Sequence, residues 1–152
     1  MISNLELLYS TTKLLRENFK DYLILIDSNN EDIKTYNTFY VEVKELLNTS
    51  YFRFIERTVN IYINFIPLSS DEIKEQILTV QSVLNDLFDI NLEVSKRKLM
   101  IDSKSFTTDE ELLTMNITLK FLDDKSNNHI PEMDQYSQLM NELNLTLNER
   151  ND

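Results

Sequence analysis

The sequence predicts an α+β domain: an antiparallel or mixed sheet of about four to five strands, covered on one face by two helices. The expected order is α-β-β-β-α-β-β, with a further helix at the C-terminus. Three observations carry this. Residues 57–65 alternate strictly, with Val59, Ile61, Ile63 and Phe65 on one side and Thr58, Asn60, Tyr62 and Asn64 on the other, the period of a strand with one buried face. Phe39, Val41 and Val43 repeat that alternation, as do Met115, Ile117, Leu119 and Phe121. Two other segments, residues 3–18 and 70–88, carry apolar residues at helical steps of three and four.

The first helix is predicted over residues 3–18. Ser3 and Glu6 form a capping box, and Leu5, Leu8, Thr12, Leu15 and Phe19 lie on one stripe. Tyr22–Ile26 is a short apolar run bounded by acids and reads as a first strand. The second strand covers Thr38–Lys44, and 46–51 is a connection with Asn48-Thr49-Ser50 as its turn signal. The long third strand runs from Arg53 to Phe65 and stops at Pro67, which has no N–H for a ladder. Ser69 and Glu72 form a second capping box, opening a helix striped by Ile73, Ile77, Val80, Leu84 and Leu87. Ile90, Leu92 and Val94 begin a fourth strand that Leu99-Met100-Ile101 resumes, 102–111 reads as a polar acidic loop, and Leu112–Phe121 is the fifth strand. Residues 1–124 are thus one domain. A polar tether follows in 125–152, with Met133, Tyr136, Met140, Leu143 and Leu147 at helical spacing.

The composition narrows the function classes. The 152 residues carry a net charge of -11, from 26 acidic and 15 basic side chains. That excess opposes both phosphate-driven nucleic-acid binding and attachment to anionic membrane. Cysteine is absent, as are glycine and alanine. Without glycine there is no phosphate loop, dinucleotide fingerprint or nucleophile elbow. A codon bias toward A and T accounts for both losses and suggests a host of low GC content. Asparagine and aspartate, as at Asn29-Asn30 and Asn127-Asn128, are expected to supply the turns. No apolar run reaches the ~18 residues of a membrane span, and the N-terminus lacks a signal peptide's basic start. These features lead us to expect a soluble intracellular protein.

No catalytic constellation is legible. His129 stands alone in the tether, with no second histidine or cysteine to join it on a metal. The acids Asp109-Glu110-Glu111 and Asp123-Asp124 are adjacent in sequence, whereas carboxylate hydrolysis needs two groups facing across a pocket. No enzyme, cofactor or metal site is therefore expected. Two surfaces are candidate contacts. Tyr51, Phe52 and Phe54, with Arg53 and Arg57, form an aromatic and basic stretch suited to an oligomer interface. Lys96, Arg97 and Lys98 form the only basic cluster, which could meet Asp109, Glu110 and Glu111 of a neighbouring subunit.

The run Thr38-Phe39-Tyr40-Val41-Glu42-Val43, followed by Arg53 through Pro67 and then a helix, resembles the tail terminator (tail completion) proteins of long-tailed phages, especially those of low-GC Gram-positive hosts. The likeness covers roughly residues 3–122. It implies a structural virion protein: a ring, commonly a hexamer, that caps the tail tube, stops its polymerisation and offers a docking surface to the head connector. It further implies assembly in the host cytoplasm, residence in the virion tail, and DNA passing through the ring without specific binding. In such a ring Arg53 and Arg57 would lie near the subunit interface and loop 102–111 would project. The charge also admits a second reading, a small acidic phage-encoded inhibitor that mimics nucleic acid on a host protein. The acids are spread along helices, loops and tail rather than in the paired rows a mimic needs.

Overall fold

A computed structural model describes residues 1–26, 37–68, 72–109 and 111–125. Two helices, α1 (Asn4–Asn18) and α2 (Ile73–Leu87), pack against six strands: β1 (Leu23–Leu25), β2 (Thr38–Ser50), β3 (Phe54–Ile66), β4 (Asn91–Val94), β5 (Arg97–Asp109) and β6 (Leu112–Asp124). The strands form one sheet in the order β1-β2-β3-β6-β5-β4. β1 joins β2 in parallel and the other neighbours are antiparallel, so the sheet is mixed. This corrects the expected four to five strands. The predicted C-terminal helix, like His129 and the Asn29-Asn30 and Asn127-Asn128 turns, lies outside the described residues.

The sixth strand arises because the Ser95-Lys96 turn splits the expected fourth strand into β4 and β5, and the extra strand length comes from two segments read as connections. β2 continues to Ser50 because Leu46 is accommodated as a bulge between Glu45, opposite Val59, and Leu47, opposite Thr58. Segment 102–109 is the body of β5, not a loop, paired with β6 from Ser103 to Asp109. Its residues look loop-like because most of them face solvent, yet the backbone ladder holds them. Ser95-Lys96 closes the β4–β5 hairpin between the paired Val94 and Arg97. Both turn residues have positive φ, 49° and 71°, the geometry of a tight type I′ turn. Serine and lysine therefore occupy positions that normally go to Asn-Gly.

The core follows from strand parity. Phe39, Val41, Val59, Ile61, Ile63, Phe65, Leu113, Met115, Ile117 and Leu119 are buried on one face of adjacent strands. α1 crosses this face, touching β1 and β2 at one side and β4 at the other, so the sheet curls around it. Its capping box at Ser3 and Glu6 forms as expected. Thr12, Leu15 and Phe19 of the predicted stripe are buried, Leu7 and Thr11 join them, and Leu5 is exposed. Thr11 is buried without penalty because its hydroxyl donates to the Leu7 carbonyl at 2.8 Å. α2 buries Ile77, Val80 and Leu84. It begins at Ile73 with Glu72 at N-cap and no side-chain cap bond, while Ser69 lies outside the described residues. At its C-terminal end, Lys104 of β5 donates to the Phe88 and Asn85 carbonyls at 2.9 and 3.1 Å, placing a cation on the negative pole of the helix dipole.

Candidate assembly surface

The β2–β3 hairpin ends in an exposed aromatic tip. The Tyr51 N–H donates to the Phe54 carbonyl at 2.8 Å, which leaves Phe52 and Arg53 at the apex. The Tyr51 and Phe54 rings stack at 4.7 Å. Phe52 is 90% exposed, and the Arg53 guanidinium lies 5.9 Å from the centre of its ring. The Lys125 N–H donates to the Arg53 carbonyl at 3.1 Å, which ties the tip to the end of β6. Leu46, Leu47 and Leu122 are exposed near the same end of the sheet. Exposed apolar clusters rimmed by polar residues are features that contact surfaces commonly carry.

A buried ion network lies beneath the tip. Arg57 of β3 and Asp123 of β6 are 4% and 1% exposed. The Arg57 guanidinium forks onto Glu45 of β2 at 2.9 and 3.0 Å. It also donates to Asp123 at 2.9 Å, to Asn4 Oδ1 at 2.8 Å and to the Ile2 carbonyl. Asp123 accepts in addition from the Ile2 N–H and from Arg97 of β5, each at 2.9 Å. Burial alone would pull the Arg57 pKa down; hydrogen bonds and charge from Glu45 and Asp123 outweigh it and raise the pKa. Two cations and two anions balance. Strands β2, β3, β5 and β6 and the N-terminus are thereby fastened at one level, so the tip stands on a rigid base.

These positions sort the sequence-predicted site residues. Tyr51, Phe52, Arg53 and Phe54 come together at the tip and are exposed. Arg57 sits inside, with its cationic head fully engaged, and is not available to a neighbour. Lys96 and Lys98 are exposed at the β4–β5 hairpin, whereas Arg97 points to Asp123 and to the Leu122 carbonyl. Asp109 and Glu111 are exposed at the opposite end of β5, where the chain turns into β6; Glu110 lies outside the described residues. The basic and acidic clusters are thus at opposite ends of one long strand. Sequence reading passed over Glu45 and set Asp123 aside as one of two adjacent acids, although each shares the parity of its strand's buried residues.

The other face of the sheet carries no helix among the described residues. Its centre is neutral and polar. Thr118 donates to Asn60 Oδ1 and Thr114 to Asn64 Oδ1, both at 2.8 Å, and the Asn60 amide donates to the Tyr62 hydroxyl at 3.0 Å. Among the described residues, no group of three or more His, Cys, Asp or Glu is placed to hold a metal, and no helix is long and apolar enough to cross a membrane.

The family model of phage tail terminator proteins matches the chain over residues 6–131. The chain belongs to the phage tail terminator family. No curated protein matches it. One solved structure is similar at 15% identity, covering 82% of this chain and 97% of its own with a TM-score of 0.43, a likeness too distant to bear on function. The tail terminator family is structural rather than enzymatic, so this chain is a structural component of a phage tail.

Proposed function

We propose that this tail terminator caps the tail tube as a homo-oligomeric ring, a hexamer by family precedent, stopping tube growth and presenting a face to the head connector. The observation that carries the reading is the aromatic tip. Tyr51, Phe52 and Phe54, with Leu46, Leu47 and Leu122, offer a preorganised apolar surface that a lone soluble domain has no reason to hold rigid. Assembly would take place in the host cytoplasm, and the finished ring would stay in the virion. The base composition behind a chain free of glycine and alanine supports a low-GC host.

DNA would pass the ring without being held. The net charge of -11 per chain multiplies around a ring, and the bare sheet face offers amides and hydroxyls at its centre rather than a row of cations. Lys44, one of the lysines on that face, lies 3.7 Å from Glu42. Mass measured by light scattering behind a sizing column, over a range of concentration and salt, tests the reading. A discrete ring-sized species is expected, and a chain that stays monomeric at every concentration counts against it.

A further inference from the structure

Among the described residues the sheet has two long free stretches of edge, and their placement is complementary. β4 pairs only with Arg97–Met100 of β5, after which the Ile101 N–H reaches the Ile90 carbonyl at 2.8 Å. Beyond that, among the described residues, 102–109 has β6 on one side and no strand on the other. At the opposite side of the sheet β1 pairs only with Thr38–Tyr40, so the hairpin half of β2 has no outer strand among the described residues. A free edge presents unpaired N–H and C=O groups from every second residue and is a template for another strand.

β2 and β5 run in opposite directions, because the order β2-β3-β6-β5 is antiparallel at each step. A rotation about an axis roughly along the strands therefore brings the β5 edge of one copy against the β2 edge of the next in antiparallel register. Such a head-to-tail contact uses two different surfaces and makes a ring where the rotation closes. The short strands act as end stops. β1 blocks β2 at the end away from the hairpin, and β4 blocks β5 at the hairpin end, so the junction must be staggered. A stagger is what tilted strands in a closed ring require.

A groove of about 340 Å³ runs along the β5 edge between the strand and α2, lined by Leu78, Gln81, Ser82, Asn85 and Phe106. Leu78 is 63% exposed. On the hairpin half of β2, Asn48 and Ser50 lie opposite Arg57 and Ile55 and so share the face that α2 covers, while Leu47, opposite Thr58, shares the bare face. A helix beside a free strand edge is the arrangement by which an added strand gains both backbone hydrogen bonds and a pocket for its side chains.

We propose that the β5 edge at 102–109 and its α2 groove receive, as an added antiparallel strand, residues 46–50 of a second copy of this chain. The proposal rests on the ring reading above. It assigns the contact to backbone pairing between edges, with Asn48 and Ser50 on the side of the α2 groove and Leu47 on the bare face beside Ser103, Ser105 and Thr107.

The chain has no cysteine, so introduced pairs report without background. Leu47, Ser103, Ser105 and Thr107 all project from the bare face of the sheet and are exposed. The full chain would carry Leu47→Cys together with Ser103→Cys, Ser105→Cys or Thr107→Cys, and would be oxidised at a concentration where light scattering reports an oligomer. At least one double variant is expected to lose its monomer band to a ladder of covalent multimers, with the matching single variants staying uncrosslinked. An oligomer that yields no ladder with any of the three pairs, or that crosslinks through Leu47→Cys alone, overturns the edge pairing and leaves the ring intact. A sample that never leaves the monomer overturns both.

Discussion

Replacing Arg57 with alanine separates a fold residue from a contact residue. The substitution strips the guanidinium from Glu45 and Asp123, and Asp123 is 1% exposed. Breaking a buried pair by removing one partner costs about 3–5 kcal/mol, because the remaining charge has no solvent to turn to. Arg97 still reaches the other Asp123 oxygen, which argues for the lower end of that range. Native domains of this kind hold roughly 5–15 kcal/mol in total, so the variant should fold but melt early. For a chain of about this size 1 kcal/mol moves the midpoint by roughly 2–4 °C, which gives a fall of about 6–20 °C. Arg57→Lys keeps the charge but not the fork onto Glu45 and should fall in between. Thermal unfolding followed by circular dichroism, at a concentration where the wild type is dissociated, reads the effect without any contribution from assembly. An Arg57→Ala chain that melts with the wild type yet fails to oligomerise would refute the buried-network account and return Arg57 to the interface.

Four further outcomes follow from particular contacts. Phe52→Ser should leave the melting midpoint within about 2 °C, since the ring is 90% exposed, while shifting the association equilibrium toward monomer in light scattering. Ser95→Asn combined with Lys96→Gly should stabilise the β4–β5 hairpin by roughly 1–2 kcal/mol in denaturant titration, because both residues sit at positive φ. Lys104→Met should cost about 1–2 kcal/mol by removing the cation that caps the C-terminal carbonyls of α2, with hydrogen exchange rising first at the end of that helix. The Glu6 carboxyl has its pKa lowered, chiefly by the Ser3 N–H, with partial burial opposing. A depressed carboxylate adds stability above its unfolded value of ~4.3 that is lost as pH falls through the lower folded value. Glu6→Gln should accordingly flatten the acid limb of the stability curve below about pH 4.5.

Strand parity made most of the sheet legible, and it held more than was first read from it. Val59, Ile61, Ile63 and Phe65 were predicted buried and are. Arg57 shares their parity, as Asp123 shares that of Met115–Phe121 and Glu45 that of Phe39–Val43. Three charges on the buried side of three neighbouring strands, near one end, are the sequence signature of an internal ion network. The hairpin half of β2 was hidden by the bulge at Leu46, which breaks alternation and moves Leu47 to the bare face. β5 was hidden by its polarity: Asp102, Ser103, Ser105, Thr107 and Thr108 read as a loop because side-chain pattern reports burial and not backbone pairing. The Ser95-Lys96 turn carries no residue that announces positive φ. In α1 the predicted Thr12, Leu15 and Phe19 are buried, while the curl of the sheet selects Leu7 and Thr11 over Leu5. The exposed aromatics at 51–54 were legible as a cluster, while their support from Lys125 and from the Arg57 network depends on contacts between distant strands.

The most direct test of the terminator role is tail length, measured by electron microscopy on particles assembled without this chain and again with the purified chain restored. The account predicts tubes of indefinite, overgrown length and no joined heads in its absence, and a single sharp length when it is added back. Tails of normal, uniform length in its absence would contradict the claim that this chain ends the tube.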